Sequence, residues 1–316
     1  MPVINVQDLK KYYGPIQAVK GVSFTADKGE VVGFLGPNGA GKSTVMRMLT
    51  CFLSPTAGTA SVGGHDIRTD SLEVRKLAGY LPESNPVYND MTTLDFLKFI
   101  AKVRGIPAAK RESAIARVLE ICHLSGVQAQ MLDTLSKGFR RRVGLAQALI
   151  HDPEVLILDE PTDGLDPNQK QEVRDMIMQM APDKTIIIST HILEEVEAIC
   201  NRAIVIHEGL MVADSTPDEL RGRSRYHGAV ALSVRGAADS IEKRLGEIGD
   251  VDHVERGAAQ NGVCELMIFP RPGQSITRSV LKAAEAEGCE IENIHVERGR
   301  LDEVFRSITT SGGKRG

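Results

Sequence analysis

The run Gly36-Pro37-Asn38-Gly39-Ala40-Gly41-Lys42-Ser43-Thr44 constrains this chain more than any other stretch. It fits GxxxxGK[ST], and it follows an apolar run at 31–35 and precedes Met46, Leu49, Cys51 and Phe52, whose spacing suits a helix. Strand, glycine loop and helix in that order predict a cradle for phosphate. Glycines let successive backbone N–H groups point at phosphate oxygens, and the following helix aims its positive end at the same anion. Within the loop, Gly36, Asn38, Gly39, Ala40 and Gly41 supply backbone; Lys42 can reach the β and γ phosphates; and the Ser43 hydroxyl, beside Thr44, can ligate Mg²⁺.

The run Val155-Leu156-Ile157-Leu158-Asp159-Glu160 is an apolar strand ending in two carboxylates. Apolar strands ending in acids are common, but downstream of a phosphate loop the pair reads as chemistry. Asp159 is placed to hold Mg²⁺ through water and Glu160 to polarise the attacking water. The two motifs together describe a P-loop NTPase.

Organisation along the chain agrees. Residues 3–6, 21–25 and 31–35 read as strands, and from about 93 to 150 the apolar period becomes helical. Phe96, Leu97, Ile100 and Val103 form one such set, and Ile115, Val118, Leu119 and Cys122 another, with Ser125-Gly126 as a stop. Buried-type strands at 155–158, 185–189 and 203–206 then alternate with helices, which predicts a parallel sheet covered on both faces. The stretch 221–228, with Arg221, Arg223 and Arg225, reads as a solvated linker. Beyond it strands and helices follow in the order β-α-β-β-α-β, the split-βαβ arrangement. An amphipathic segment with Leu301, Val304, Phe305 and Ile308 comes last, and 311–316 reads as a flexible tail.

Bulk properties narrow the setting. The net charge of −4 gives no global positive field for nucleic acid or anionic lipid. The five cysteines are scattered without a CxxC pair, so neither a disulfide framework nor a zinc site is expected, and a reducing cytosol is the simplest home. The amino terminus lacks a signal-peptide pattern, and no apolar run approaches the ~20 residues that cross a bilayer.

Between the glycine loop and the carboxylate pair, and around them, lie further phrases. Leu135-Ser136-Lys137-Gly138-Phe139-Arg140-Arg141-Arg142 resembles the LSGGQ motif of the ATP-binding cassette family; Gly164-Leu165-Asp166 resembles its D-loop; and Ser189-Thr190-His191 resembles its switch histidine. Tyr13-Gly14 stands in the place of the adenine-stacking aromatic, and Tyr80-Leu81-Pro82-Glu83 where the Q-loop belongs. The resemblance covers residues 3–220.

It implies an α/β fold: a P-loop NTPase ABC cassette at 1–220, with a parallel-sheet core, an antiparallel β subdomain and a helical subdomain at about 85–150. A small α+β carboxy-terminal domain of split-βαβ type at 229–310 is added. It implies ATP and Mg²⁺ as ligands, with Ser43, Glu83 and Asp159 around the metal and Glu160, His191 and Lys42 catalytic. It also implies that two cassettes, identical or not, sandwich two ATP molecules. Ser136 and the Gly138 backbone would then meet the γ-phosphate of the other subunit, Asp166 would sit at the seam, and Tyr13 would stack on adenine.

The chain departs from the family pattern at Glu83, which replaces a glutamine, and at Lys137 and Phe139, which replace a glycine and a glutamine. These substitutions, the single cassette, the added domain and the ending Leu301-Asp302-Glu303-Val304-Phe305 resemble exporter-type cassettes of the drug, sodium and gliding-motility branch. The resemblance thus implies a cytoplasmic subunit, peripheral on the inner face of the membrane through a separate permease that handles a small-molecule or lipid-like cargo. The rival is a soluble cassette ATPase acting on ribosomes or DNA, but the second cassette and the coiled coil usual in such proteins are missing, and no nucleic acid is expected. For the carboxy-terminal domain, a dimerisation platform is favoured over a ligand sensor.

Overall fold

The computed structural model describes residues 2–84, 86–236, 238–257, 259 and 262–311. The chain divides at Thr216/Pro217 into two compact units.

The first unit opens with β1 (Ile4–Tyr13) and β2 (Ile16–Ala26), a hairpin longer than its apolar pattern predicts. Register shifts along the pair break the alternation, so the outer half carries few buried side chains and escapes a period-2 reading. After β3 (Val31–Leu35) and α1 (Lys42–Leu49) come β4 (Ala57–Val62), β5 (His65–Asp66), α2 (Ser71–Leu77) and β6 (Ala78–Leu81). Strands β2, β1, β4 and β5 form an antiparallel sheet in that order.

The helical insertion follows as α3 (Thr93–Val103), α4 (Ala108–Ile121) and α5 (Lys137–Leu149). Phe96, Leu97 and Ile100 of α3 and Ile115, Val118 and Leu119 of α4 are buried, as the helical spacing requires, whereas Val103 is exposed at the end of its helix. Thr92 caps α3 by accepting from the Asp95 N–H at 3.1 Å. The remaining elements are β7 (Val155–Asp159), α6 (Pro167–Met180), β8 (Thr185–Thr190), α7 (Leu193–Ile199), β9 (Arg202–His207) and β10 (Leu210–Ser215).

The core sheet runs β10-β9-β3-β8-β7-β6. Strands β3, β7 and β8 are buried at every residue, because the sheet is covered on both faces; on one of them Val32, Phe34, Ile157 and Ile187 pack with Val45 and Met46 of α1 and with Ile4, Val6 and Phe24 of the antiparallel sheet. The edge strand β10 pairs antiparallel with β9, so the sheet is mixed rather than wholly parallel. Register places the site: Leu35 lies beside Thr190, Ser189 beside Asp159, and Leu158 beside Leu81. Four strands therefore end at one level, and the residues just past them share one edge, where ligands of open α/β sheets bind.

The second unit holds α8 (Pro217–Arg221), β11 (Val230–Arg235), α9 (Ala238–Gly246), β12 (Val251–Arg256), β13 (Val263–Pro270), α10 (Thr277–Ala286), β14 (Glu290–Val296) and α11 (Leu301–Ser311). Its antiparallel sheet is ordered β12-β13-β11-β14, which is the split-βαβ topology. Val230, Leu232 and Val234 meet Ile241 and Leu245 of α9 and Val280 and Ala284 of α10 in its core.

Residues 221–228 are not a free linker. Ser224 is buried and donates to the Glu303 carboxylate at 2.7 Å, while the Tyr226 ring lies 5.5 Å from that of Phe269. The Arg300 guanidinium covers the Tyr226 ring at 3.9 Å, and Arg225 pairs with Glu255 at 3.1 Å. One aromatic anchor outweighs the polar composition that suggested a solvated connection. Ser311 closes α11 instead of beginning a loose tail; residues 312–316 lie outside the described residues.

Candidate functional site

The loop after β3 is shaped by its glycines. Gly41 has φ +107 and caps α1, and a Cβ there would come 2.5 Å from the Ala18 carbonyl oxygen. Any side chain would both strain the backbone and strike the Ala18 carbonyl. Lys42 is the first residue of α1, and its ammonium is buried, 2.7 Å from the Gly36 carbonyl oxygen.

Past β7 stands Glu160, with φ +50, a left-handed conformation rare for a side-chain-bearing residue and costing about 1–2 kcal/mol. Its N–H donates to the Ser189 carbonyl at 2.9 Å. Its carboxylate lies 3.6 Å from the Lys42 ammonium through one oxygen and 3.0 Å from Nδ1 of His191 through the other. His191, just past β8, is itself half exposed.

These groups line one cavity of about 480 Å³. Its wall holds Asn38, Gly39, Gly41, Lys42, Ser43, Thr44, Glu83, Glu160 and His191 from the sequence expectations, together with Ala18, Pro37 and Asp163. Asp159 lies behind this wall, 1% exposed; one carboxylate oxygen accepts from Ser189 Oγ at 2.6 Å. The other is buried and has no hydrogen-bond partner among the described residues. A buried carboxylate oxygen left without a donor is costly, so this one calls for a cation or an ordered water. With the Ser43 hydroxyl on the cavity wall, the donor set is all oxygen and suits a hard divalent ion.

Besides Asp159, the expected residues Gly36, Ala40, Ser136, Gly138, Asp166 and Tyr13 lie outside the cavity wall. Ser136 is exposed at the start of α5, where its hydroxyl accepts from the Phe139 N–H at 3.3 Å. Gly138 is buried in the first turn of α5 against Gln169, whose side chain a Cβ would strike. Asp166 is exposed and caps α6 through the Gln169 N–H at 2.9 Å. Tyr13 is exposed at the end of β1, with the Lys11 ammonium 5.4 Å from its ring centre. Lys137 leans on its own subunit, with its ammonium 3.3 Å from Asp163 and close over Gly164.

Two further residues support the site and were not singled out from sequence. Glu195 is buried, accepting from Thr190 at 2.8 Å and from Thr162, so it ties the segment past β7 to the end of β8. Burial pushes its carboxyl above the usual range, against the opposing Thr190 hydrogen bond. Arg141 is buried and donates to the carbonyls of Pro82 (2.8 Å), Glu83 (2.9 Å), Asp159 (2.5 Å), Glu160 and Pro161 (3.1 Å). Three consecutive arginines conceal it, yet Gly138, Arg141 and Leu145 share a buried helical face at spacings of three and four.

Comparison with known proteins shows the family of this chain. The family profile described as ABC transporter matches residues 19–163. Bacitracin transport ATP-binding protein BcrA of Bacillus licheniformis is 32% identical over 98% of this chain and 98% of its own length. Linearmycin resistance ATP-binding protein LnrL of Bacillus subtilis is 30% identical over 97% and 98%. ABC transporter A family member 1 of Dictyostelium discoideum is 37% identical over 69% of this chain, which spans only 25% of that protein. Among solved structures, cbiO1 of Clostridium perfringens, part of the ABC transporter complex cbiONQ, aligns with a TM-score of 0.64 at 28% identity, covering 70% of this chain and 91% of cbiO1.

Proposed function

Because this chain belongs to the ABC transporter family as an ATP-binding subunit with ATPase activity, we propose that it powers export through a separate membrane permease by ATP-driven closure of two cassettes. The observation that carries this reading is the common cavity of Lys42, Ser43, Glu160 and His191, with Ser136 and Asp166 exposed outside it. Such a site is complete for holding a triphosphate and incomplete for surrounding one.

The glycine loop and Lys42 bind the phosphates. Lys42 shifts its ammonium from the Gly36 carbonyl and Glu160 toward phosphate oxygens, a stronger partner for a buried cation. Mg²⁺, when bound, neutralises charge on the β and γ phosphates, and Ser43, Asp159 and Glu83 are the residues that would hold it. Glu160 takes a proton from the attacking water, and His191 steadies its carboxylate from the other side and can donate to the γ-phosphate. The exposed Tyr13 ring offers a face for adenine, about 0.5–1.5 kcal/mol beyond burial.

A second cassette brings Ser136 and the amino-terminal N–H groups of its α5 to the γ-phosphate, with Asp166 at the seam. No helix of the described residues is long and apolar enough to cross a membrane, so the path for cargo belongs to another chain in this reading. The resistance role printed for the full-length relative LnrL favours export as the direction.

Affinity purification from detergent-solubilised membranes of the native host tests the partner. The expected result is a polytopic membrane protein recovered in stoichiometric amount with ATPase activity. Recovery with ribosomes or DNA, and no membrane protein, would overturn the transporter assignment.

A further inference from the structure

Arg141 spends its whole hydrogen-bonding capacity on the backbone of the site. A guanidinium has five N–H donors in a rigid plane, and five carbonyl oxygens receive them. Those carbonyls belong to two segments remote in sequence: Pro82 and Glu83 after β6, and Asp159 at the end of β7 with Glu160 and Pro161 just past it. The arginine itself rides on α5, the helix that begins at Ser136.

The consequence falls on Glu160. Its backbone is held in the left-handed region from both sides, its N–H by the Ser189 carbonyl and its own carbonyl by Arg141. This double hold keeps its carboxylate between Lys42 and His191. Released from Arg141, a strained residue has an easier conformation to fall into, and the carboxylate leaves the cavity.

We infer that Arg141 is a positioning residue for hydrolysis, locking the backbone of Glu160 to that of Glu83 and to α5, so that the carboxylate is aimed only while all three are assembled. The inference rests on the reading of Glu160 as the group that activates water. Arg141 touches no reacting atom. It makes the direction of the Glu160 side chain depend on where the Ser136-bearing helix and the Glu83 segment sit, which links the helical insertion to the chemical step.

Steady-state ATP hydrolysis by the full chain, in its transporter complex, tests this with Arg141→Lys, Glu160→Gln and the double variant. Lysine keeps the charge and most of the length, but its single nitrogen cannot reach both carbonyl clusters. Arg141→Lys is expected to lower kcat about a hundredfold with KM for ATP unchanged, because the phosphate loop is untouched. The double variant is expected to be no slower than Glu160→Gln alone, since Arg141 acts through that carboxylate.

Multiplicative losses in the double variant, a raised KM, or undiminished turnover in Arg141→Lys would each overturn the inference while leaving Glu160 in its role. Full activity in Glu160→Gln would instead remove the underlying reading and the inference with it. Should Arg141→Lys fail to fold, Arg141→Gln carries the same comparison, because a neutral side chain also removes the buried charge.

Discussion

Glu160→Gln lowers ATP turnover by on the order of 10²–10⁴ while ATP binding persists. The substitution is nearly isosteric and leaves the backbone as it is, with the N–H on the Ser189 carbonyl and the carbonyl on Arg141. What disappears is the negative charge. An amide cannot take the proton of a water, and it no longer attracts Lys42 at 3.6 Å or competes with phosphate for that ammonium. Binding should therefore hold or tighten as hydrolysis fails. Phosphate release measured beside retention of labelled ATP separates the two, and undiminished release would remove Glu160 from its role.

Ser136→Arg stops hydrolysis without weakening ATP binding by the isolated subunit. Ser136 is no part of the cavity wall that holds Lys42, so its own subunit's phosphates do not meet it. Its local task is to cap α5, and losing that cap costs about 1 kcal/mol, too little to unfold the chain. In the proposed closed dimer the larger effect comes from an arginine at an exposed helix start, where the second cassette's nucleotide would approach. Losing a phosphate-facing donor lowers turnover by on the order of 10²–10³, and the added bulk opposes closure. Ser136→Thr, which preserves the cap, is the matched control. A normal rate in Ser136→Arg would contradict completion of the site by a second copy.

Much of the site is legible in the sequence because its groups sit where regular elements end. The glycine loop must follow β3, the carboxylates must end β7, and His191 must follow β8, so pattern alone places them, and parallel register then brings them together. The β-α-β-β-α-β order of the second unit is legible for the same reason: both its periods are clean.

What escaped depends on contacts between distant residues. Arg141 and Glu195 sit in charged runs that look solvated, and only the carbonyls of Pro82, Glu83 and residues 159–161, or the hydroxyls of Thr162 and Thr190, explain their burial. Tyr226 likewise turned a polar stretch into packed structure through Phe269, more than forty residues away. The outer β1–β2 hairpin was obscured by bulges, and β10 joins the sheet antiparallel at an edge that no pattern in its own residues announces.

Triphosphate held by the loop at Gly36–Lys42 is what every proposed step requires. Titration calorimetry of the Glu160→Gln chain with ATP in the presence of Mg²⁺, beside the same chain carrying Lys42→Ala, measures that directly. The predicted result is saturable uptake of one ATP per chain in the first protein and its loss in the second. No heat of binding in the first, or equal binding in both, would contradict it.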